Sequence, residues 1–236
     1  MIKNESFERS IVELAAGLAH EVRNPLSLVS ANIDLLELND DRPAHAKNYR
    51  VMRRELTRVN DMLTDFMGLA KPIDNVCPAV SISVPRLLRE IVDDLRPAMH
   101  GISLYLESED LAPCISADAE ALRRLFVNLI KNAAESISLT GRVDGEIVIE
   151  VHSGGGAIVT ISDNGMGADD DTISRMSLPF FTTKPDGTGL GLYLAGHIID
   201  AHNGELTFER TEGGGLCVTV ALPRTVESSY MLRSAK

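Results

Sequence analysis

The sequence predicts a multi-domain protein: an N-terminal antiparallel helical hairpin forming a dimeric four-helix bundle, then an α/β sandwich. Three observations carry this reading. Apolar residues recur at helical spacing over residues 1–70, short alternating strands interleave with helices from about residue 81, and a stretch with two prolines separates the two regimes.

In the second helix, Tyr49, Met52, Leu56, Val59, Leu63, Phe66 and Ala70 lie alternately three and four residues apart, which is the a/d seam of coiled-coil packing. The first helix carries Ile11, Leu14, Leu18, Val22, Leu26, Val29, Ile33 and Leu36. This stripe slips near Pro25, where a missing amide and a crowded ring predict a bend. Asn39–Pro43 is the connecting turn. Two helices cannot bury so long a seam by themselves, so a second copy of the chain is expected to cover it, in preference to packing on the rest of the chain.

Residues 71–80 (KPIDNVCPAV) read as a linker, 81–223 as the second domain and 224–236 as a polar tail. In the second domain Ile82–Val84 is a short strand, and Pro85 opens a helix containing Leu87, Leu88, Ile91, Val92 and Leu95. Ile102, Leu104 and Leu106 alternate as a strand, and Asp118 caps a helix running to about Ser138. Glu146–Val151 and Ala157–Ser162 form a hairpin; a glycine-rich segment leads into a helix from about Gly189 to His202. Strands Glu205–Arg210 and Leu216–Leu222 close a domain whose helices are expected on one face of the sheet.

Composition narrows the function. With 44% hydrophobic and 24% charged residues the chain is ordinary globular material, and without Trp its core must be aliphatic. A net charge of -11 argues against nucleic-acid or anionic-membrane binding, which needs clustered Lys and Arg. Cys77, Cys114 and Cys217 lack metal-ligand spacing and read as reduced thiols, so a cytoplasmic location is expected. No run reaches the roughly 18 apolar residues of a membrane span, and the first residues, MIKNESFERS, lack a signal peptide's apolar core.

His20 lies two residues from both Leu18 and Val22, so on a helix it points roughly 200° away from the apolar stripe. Asn24, four residues on, shares its face, and Glu21 is adjacent. Neutral imidazole is a good nucleophile near neutral pH. Spacing alone does not promote His20 over His45 or His100, and in isolation it reads as a solvated surface histidine. Asp163–Gly167 (DNGMG) ends a strand and Gly187–Gly191 (GTGLG) opens a helix, so backbone N–H groups there could meet a phosphate at the positive end of the helix dipole. Neither a P-loop nor a dinucleotide fingerprint is present, so a nucleotide would need another fold. Asn128 and Asn132 sit one turn apart, with Glu135 beyond, and amide oxygens are hard donors suited to Mg²⁺. Singly, each of these is as well explained by a turn or a polar helix face.

Together they resemble the motif set of the sensor histidine kinases. LAHEVRNPL (Leu18–Leu26) resembles the family's H-box, NLIKNAAES (Asn128–Ser136) its N-box and DNGMG its G1 box. PFFTTK (Pro179–Lys184) resembles the F-box, GTGLGL (Gly187–Leu192) the G2 box and GGGLCVTVALP (Gly213–Pro223) the closing strand, all in the family's order. The resemblance implies a helical dimerisation and phosphoacceptor domain over residues 1–70 and a Bergerat-type ATP-binding domain over 81–223. It implies that His20 attacks the γ-phosphate of ATP while Glu21 orients the ring and accepts its proton. Asn132 would ligate Mg²⁺ with Asn128 in support, and Asp163 would accept a hydrogen bond from the adenine amino group. Gly165 and Gly167 would make room for the base. Lys131, Thr183, Lys184 and the backbone of Gly187, Thr188, Gly189, Leu190 and Gly191 would complete the nucleotide site.

Asn24 matches the polar residue of the family's HExx[NT] pattern, which implies phosphatase activity toward a response-regulator partner as well. Phe181–Gly187 resembles the short ATP lid of nitrogen-regulation-type and sporulation-type kinases more than that of long-lidded ones, while Leu216 and Asn203 depart from the family's common Thr and Gly. With His20 so close to residue 1, no sensor region is expected within the 236 residues, and a separate sensor protein or missing sensor domain would supply the signal. Two other readings stand beside this one: a Bergerat-fold ATPase or serine kinase, and a non-catalytic dimeric phosphotransfer scaffold.

Overall fold

A computed structural model describes residues 26–38, 43–70, 80–108, 114–184, 187 and 189–224. His20, Glu21, Asn24, Cys77, Thr188, the Pro25 bend and the connecting turn up to residue 42 lie outside the described residues. Two compact units emerge: the helical hairpin together with residues 182–190, and residues 73–181 together with 191–236.

The hairpin consists of α1 (residues 26–38) and α2 (Pro43–Ala70). Ile33 and Tyr49 are buried, while Arg53 of α2 bridges Asp34 of α1 at 2.9 Å. Elsewhere on the apolar stripe, among the described residues, Val29, Leu36, Met52 and Val59 are exposed. No helix among the described residues is long and apolar enough to cross a membrane.

In the second unit, β1 (Val80–Ser83) leads directly into α3 (Val84–Leu95). Val80 is thus the first residue of β1. β2 (Ile102–Ser108) follows, then β3 (Cys114–Ala117), which pairs antiparallel with β1. α4 (Ala119–Thr140) begins at Asp118, whose carboxylate accepts N–H bonds from Glu120 and Ala121. It ends at Gly141 in the left-handed region. β4 (Gly145–Ser153) and β5 (Gly156–Asp163) form the hairpin, α5 (Asp170–Arg175) is short, and α6 (Gly191–Ala201) starts two residues later than the sequence reading placed it. β6 (Glu205–Arg210) and β7 (Leu216–Pro223) complete a five-stranded sheet of order β2-β4-β5-β7-β6. Only β2 and β4 run parallel; the other pairs are antiparallel.

Strand alternation sends Leu104, Ile147, Ile149, Val151, Val159, Ile161, Val218 and Val220 to one face, where they are buried. Against that face α4 lays its stripe of Leu122, Leu125, Phe126, Leu129, Ile130, Ala133 and Ile137, packing on β4 and β5 between α3 and α6. The result is the α/β sandwich expected from the sequence. Arg123 ties α4 to α3 through Glu90 at 2.9 Å and Asp94 at 3.1 Å. His202 is buried just past α6, its Nδ1–H donating to Ile198 O at 2.7 Å and its Nε2 accepting from the Asp118 amide at 3.1 Å. One imidazole therefore joins the end of α6 to the start of α4.

Among the described residues, β3, α5 and the short 3₁₀ turn Arg96–Ala98 were absent from the sequence reading. α5 buries no residue and is held by its cap: Asp169 accepts from the Thr172 amide at 2.8 Å. Thr172's hydroxyl and amide, with Arg210 nearby, hold the Asp169 carboxyl below its ordinary value.

Candidate functional site

α4 supplies the site's spine. Its core stripe faces the sheet, so Asn128, Asn132 and Ser136, each one turn from the next, form the adjoining edge and are half-buried. Asn132 donates through Nδ2 to Asn128 Oδ1 at 3.4 Å, a long bond. Lys131 and Glu135 on the same helix are exposed.

Asp163 owes its position to the period of β5. It follows Ile161 by two residues, so its side chain faces α4 and is buried at 6% exposure. One carboxylate oxygen, Oδ1, accepts from the Gly165 amide at 2.8 Å. Ser136 Oγ accepts from the Met166 amide at 3.0 Å, pinning the DNGMG loop to α4. Asn164 secures the loop's other side, its Nδ2 donating to Asp144 O at 2.8 Å and its Oδ1 accepting from the Glu146 amide at 2.9 Å.

The glycines of this loop serve packing inside the chain. A Cβ on Gly165 would sit 2.8 Å from both Asp163 Oδ1 and the Ile137 amide nitrogen and would collide with Ser136 Oγ. Gly167 combines a φ of 65° with a Cβ position 2.8 Å from Gly215 O. A Cβ on Gly215 would in turn strike Asp163 O. Ser136 lies beside Gly165, and Gly215 lies beside Gly167.

Gly191, the first residue of α6, abuts Asn128: an added Cβ would lie 2.6 Å from its Oδ1. The positive end of α6 therefore opens beside the Asn128–Asn132 amide pair, an arrangement that favours anions. One unit thus brings together Asn128, Asn132, Asp163, Gly165, Gly167 and Gly191. Thr183, Lys184, Gly187, Gly189 and Leu190 belong to the other unit. There the Lys184 amide donates to Thr182 Oγ1 at 3.1 Å and the Gly187 amide to Lys184 O at 3.2 Å, making a tight turn that a Cβ on Gly187 would block at Thr182. Ser136 and Thr182 carry no role in the sequence reading. The signal for Ser136 was its spacing of four from Asn132.

No group of three or more His, Cys, Asp or Glu side chains among the described residues could hold a metal. The donors at this site are amide oxygens, which suit a hard cation that keeps water and phosphate in its shell.

A mixed sheet under one helical layer, with an amide-bearing helix beside an Asp-Asn-Gly loop, defines an ATPase-type domain. Residues 117–226 match the family model for the histidine kinase-, DNA gyrase B-, and HSP90-like ATPase, and residues 10–74 match the His Kinase A (phospho-acceptor) domain. The chain belongs to the histidine kinases and carries their catalytic core. It is 32% identical over 213 residues to sporulation kinase E of Bacillus subtilis (strain 168), covering 89% of this chain and 28% of that protein. It is 33% identical over 214 residues to the signal transduction histidine-protein kinase AtoS of Escherichia coli (strain K12), covering 89% and 34%. Among solved structures it resembles full-length ShkA in complex with AMPPNP, with TM-score 0.73 and 26% identity over 89% of this chain and 45% of that one. It also resembles histidine kinase ThkA in complex with response regulator protein TrrA, with TM-score 0.66 and 25% identity over 95% and 66%. The chain spans only 28% and 34% of the two curated relatives' lengths.

Proposed function

We propose that the chain is an ATP-dependent protein histidine autokinase that phosphorylates His20 and passes the phosphoryl group to an aspartate of a response regulator. The observation that carries this is the hydrogen-bonded Asn128–Asn132 pair set between the α6 N-terminus and the oriented Asp163 carboxylate, in a chain that also matches a phospho-acceptor domain. The histidine kinase ThkA was crystallised with a response regulator, which supports that class of partner.

In this mechanism Asp163, with Oδ1 already held by Gly165, accepts the adenine amino group and selects adenine over guanine. Asn128 and the α6 amides bind the phosphates; Lys131, Thr183 and Lys184 add donors. Asn132 contributes its amide oxygen to Mg²⁺, which when bound neutralises developing charge on the phosphates. The His20 imidazole attacks the γ-phosphorus as the bond to the ADP oxygen breaks, and Glu21 takes the ring proton. Catalysis is then mostly positioning and electrostatics. Asn24, on His20's face, positions water to hydrolyse the phospho-aspartate of the regulator.

Residues 1–70 would form the dimerisation and acceptor domain, 81–223 the ATP-binding domain and 224–236 a polar tail, in a cytoplasmic homodimer. The uncovered stripe of Val29, Leu36, Met52 and Val59 supports a second copy as its cover.

Incubation with γ-labelled ATP and Mg²⁺ tests the core of the proposal. The intact chain should acquire acid-labile, base-stable label that chelation abolishes and His20→Gln prevents. A folded chain that binds nucleotide yet takes label on a serine, or takes none, refutes it.

A further inference from the structure

Arg124 stands one turn before Asn128, so α4 presents Arg124, Asn128, Asn132 and Ser136 in a single i, i+4 row. The two arginines at this point of the helix have opposite fates. Arg123 spends its guanidinium on Glu90 and Asp94 of α3. Arg124 is partly buried, its Nε is shielded from solvent, and it makes no hydrogen bond or ion pair among the described residues. A guanidinium N–H shielded in that way and left without an acceptor is unfavourable, and an anion would supply one.

Direction along the row identifies the anion. Ser136 marks the base end, because it grips the Met166 amide beside Asp163. Asn128 marks the phosphate end, because it adjoins the first residue of α6. From Ser136 to Arg124 the helix rises about 18 Å, the length scale of an extended nucleoside triphosphate. Arg124 is one turn beyond the amide that meets the phosphate chain, where the outermost phosphate would lie.

We propose that Arg124 is a substrate-contacting residue whose guanidinium takes the terminal phosphate, so that the site distinguishes a triphosphate from a diphosphate. The planar fork of arginine suits two phosphate oxygens at once. This rests on the ATP-site reading given above.

The test is calorimetric titration of the full chain with Mg-ADP and with a Mg-loaded non-hydrolysable ATP analogue, for the wild type, Arg124→Gln and Arg124→Lys. R124Q should bind the analogue about tenfold or more weakly, the loss expected for one charged hydrogen-bond partner, with ADP affinity within about twofold of wild type. R124K should fall between the two. A ratio of ATP-analogue to ADP affinity that is unchanged in R124Q overturns the proposal. If R124Q binds neither nucleotide, the ratio in R124K decides by the same criterion. A wild-type chain that binds ADP and the analogue equally well overturns the role of Arg124 while sparing the nucleotide site; one that binds neither overturns both.

Discussion

At the residue scale, Asp163 is the most constrained group. It is buried, and the Gly165 N–H bonds one oxygen and holds the carboxyl group at a set orientation. Asp163→Asn keeps the shape yet offers an N–H₂ group or an amide oxygen in place of two charged acceptors. ATP affinity should fall about tenfold or more while any affinity for GTP changes little, as measured by competition against a fluorescent nucleotide. Equal losses for both nucleotides would show that Asp163 does not read the base. Neighbouring positions tolerate little. Gly165→Ala places a methyl group against Ser136, Asp163 and Ile137 together, so it should destabilise the fold by about 1–3 kcal/mol in urea unfolding.

At the element scale, the turn that follows α6 carries a non-glycine residue at φ 52°, Asn203, where the sequence departs from the family's common glycine. Asn tolerates the left-handed region because its short polar side chain can bond locally. Asn203→Ala should cost about 1 kcal/mol in thermal unfolding, with Asn203→Gly close to neutral. A neutral alanine variant would mean that the helix end relaxes.

Elements with strong local signals were legible. Asp118 announced α4 as a cap before a long 3.6-residue stripe, and the β4–β5 hairpin showed clean alternation around Gly154–Gly156. β3 was not, because four residues carry almost no periodicity and its pairing partner, β1, lies more than 30 positions away. α5 escaped because it has no buried face to write a pattern, only the Asp169 cap. The same division holds at the site. Asn128 and Asn132 were visible by spacing, whereas Ser136 gains its role from Met166, a contact 30 residues away. Arg124 stands out only because its neighbour Arg123 is paired and it is not.

At the scale of the whole molecule, the described residues of the helical unit leave apolar surface uncovered. Leu28 is 67% and Leu38 80% exposed, alongside the stripe already described. Sedimentation equilibrium should give twice the mass of one chain at micromolar concentration. Met52→Asp with Val59→Asp should shift the protein to monomer while leaving ADP binding by the second unit intact. A wild-type chain that stays monomeric at every concentration would rule out the dimeric bundle.

The contact between Gly215 and the backbone of Asp163 has a consequence for how the protein is made. The loop proposed to receive adenine is braced by a turn roughly 50 positions further along the chain, just ahead of β7, and β7 itself occupies an interior place in the sheet. A nascent polypeptide still lacking that turn has every side chain named for the base, yet no wall behind them. Nucleotide binding at that loop is therefore expected only once the turn and β7 are in place.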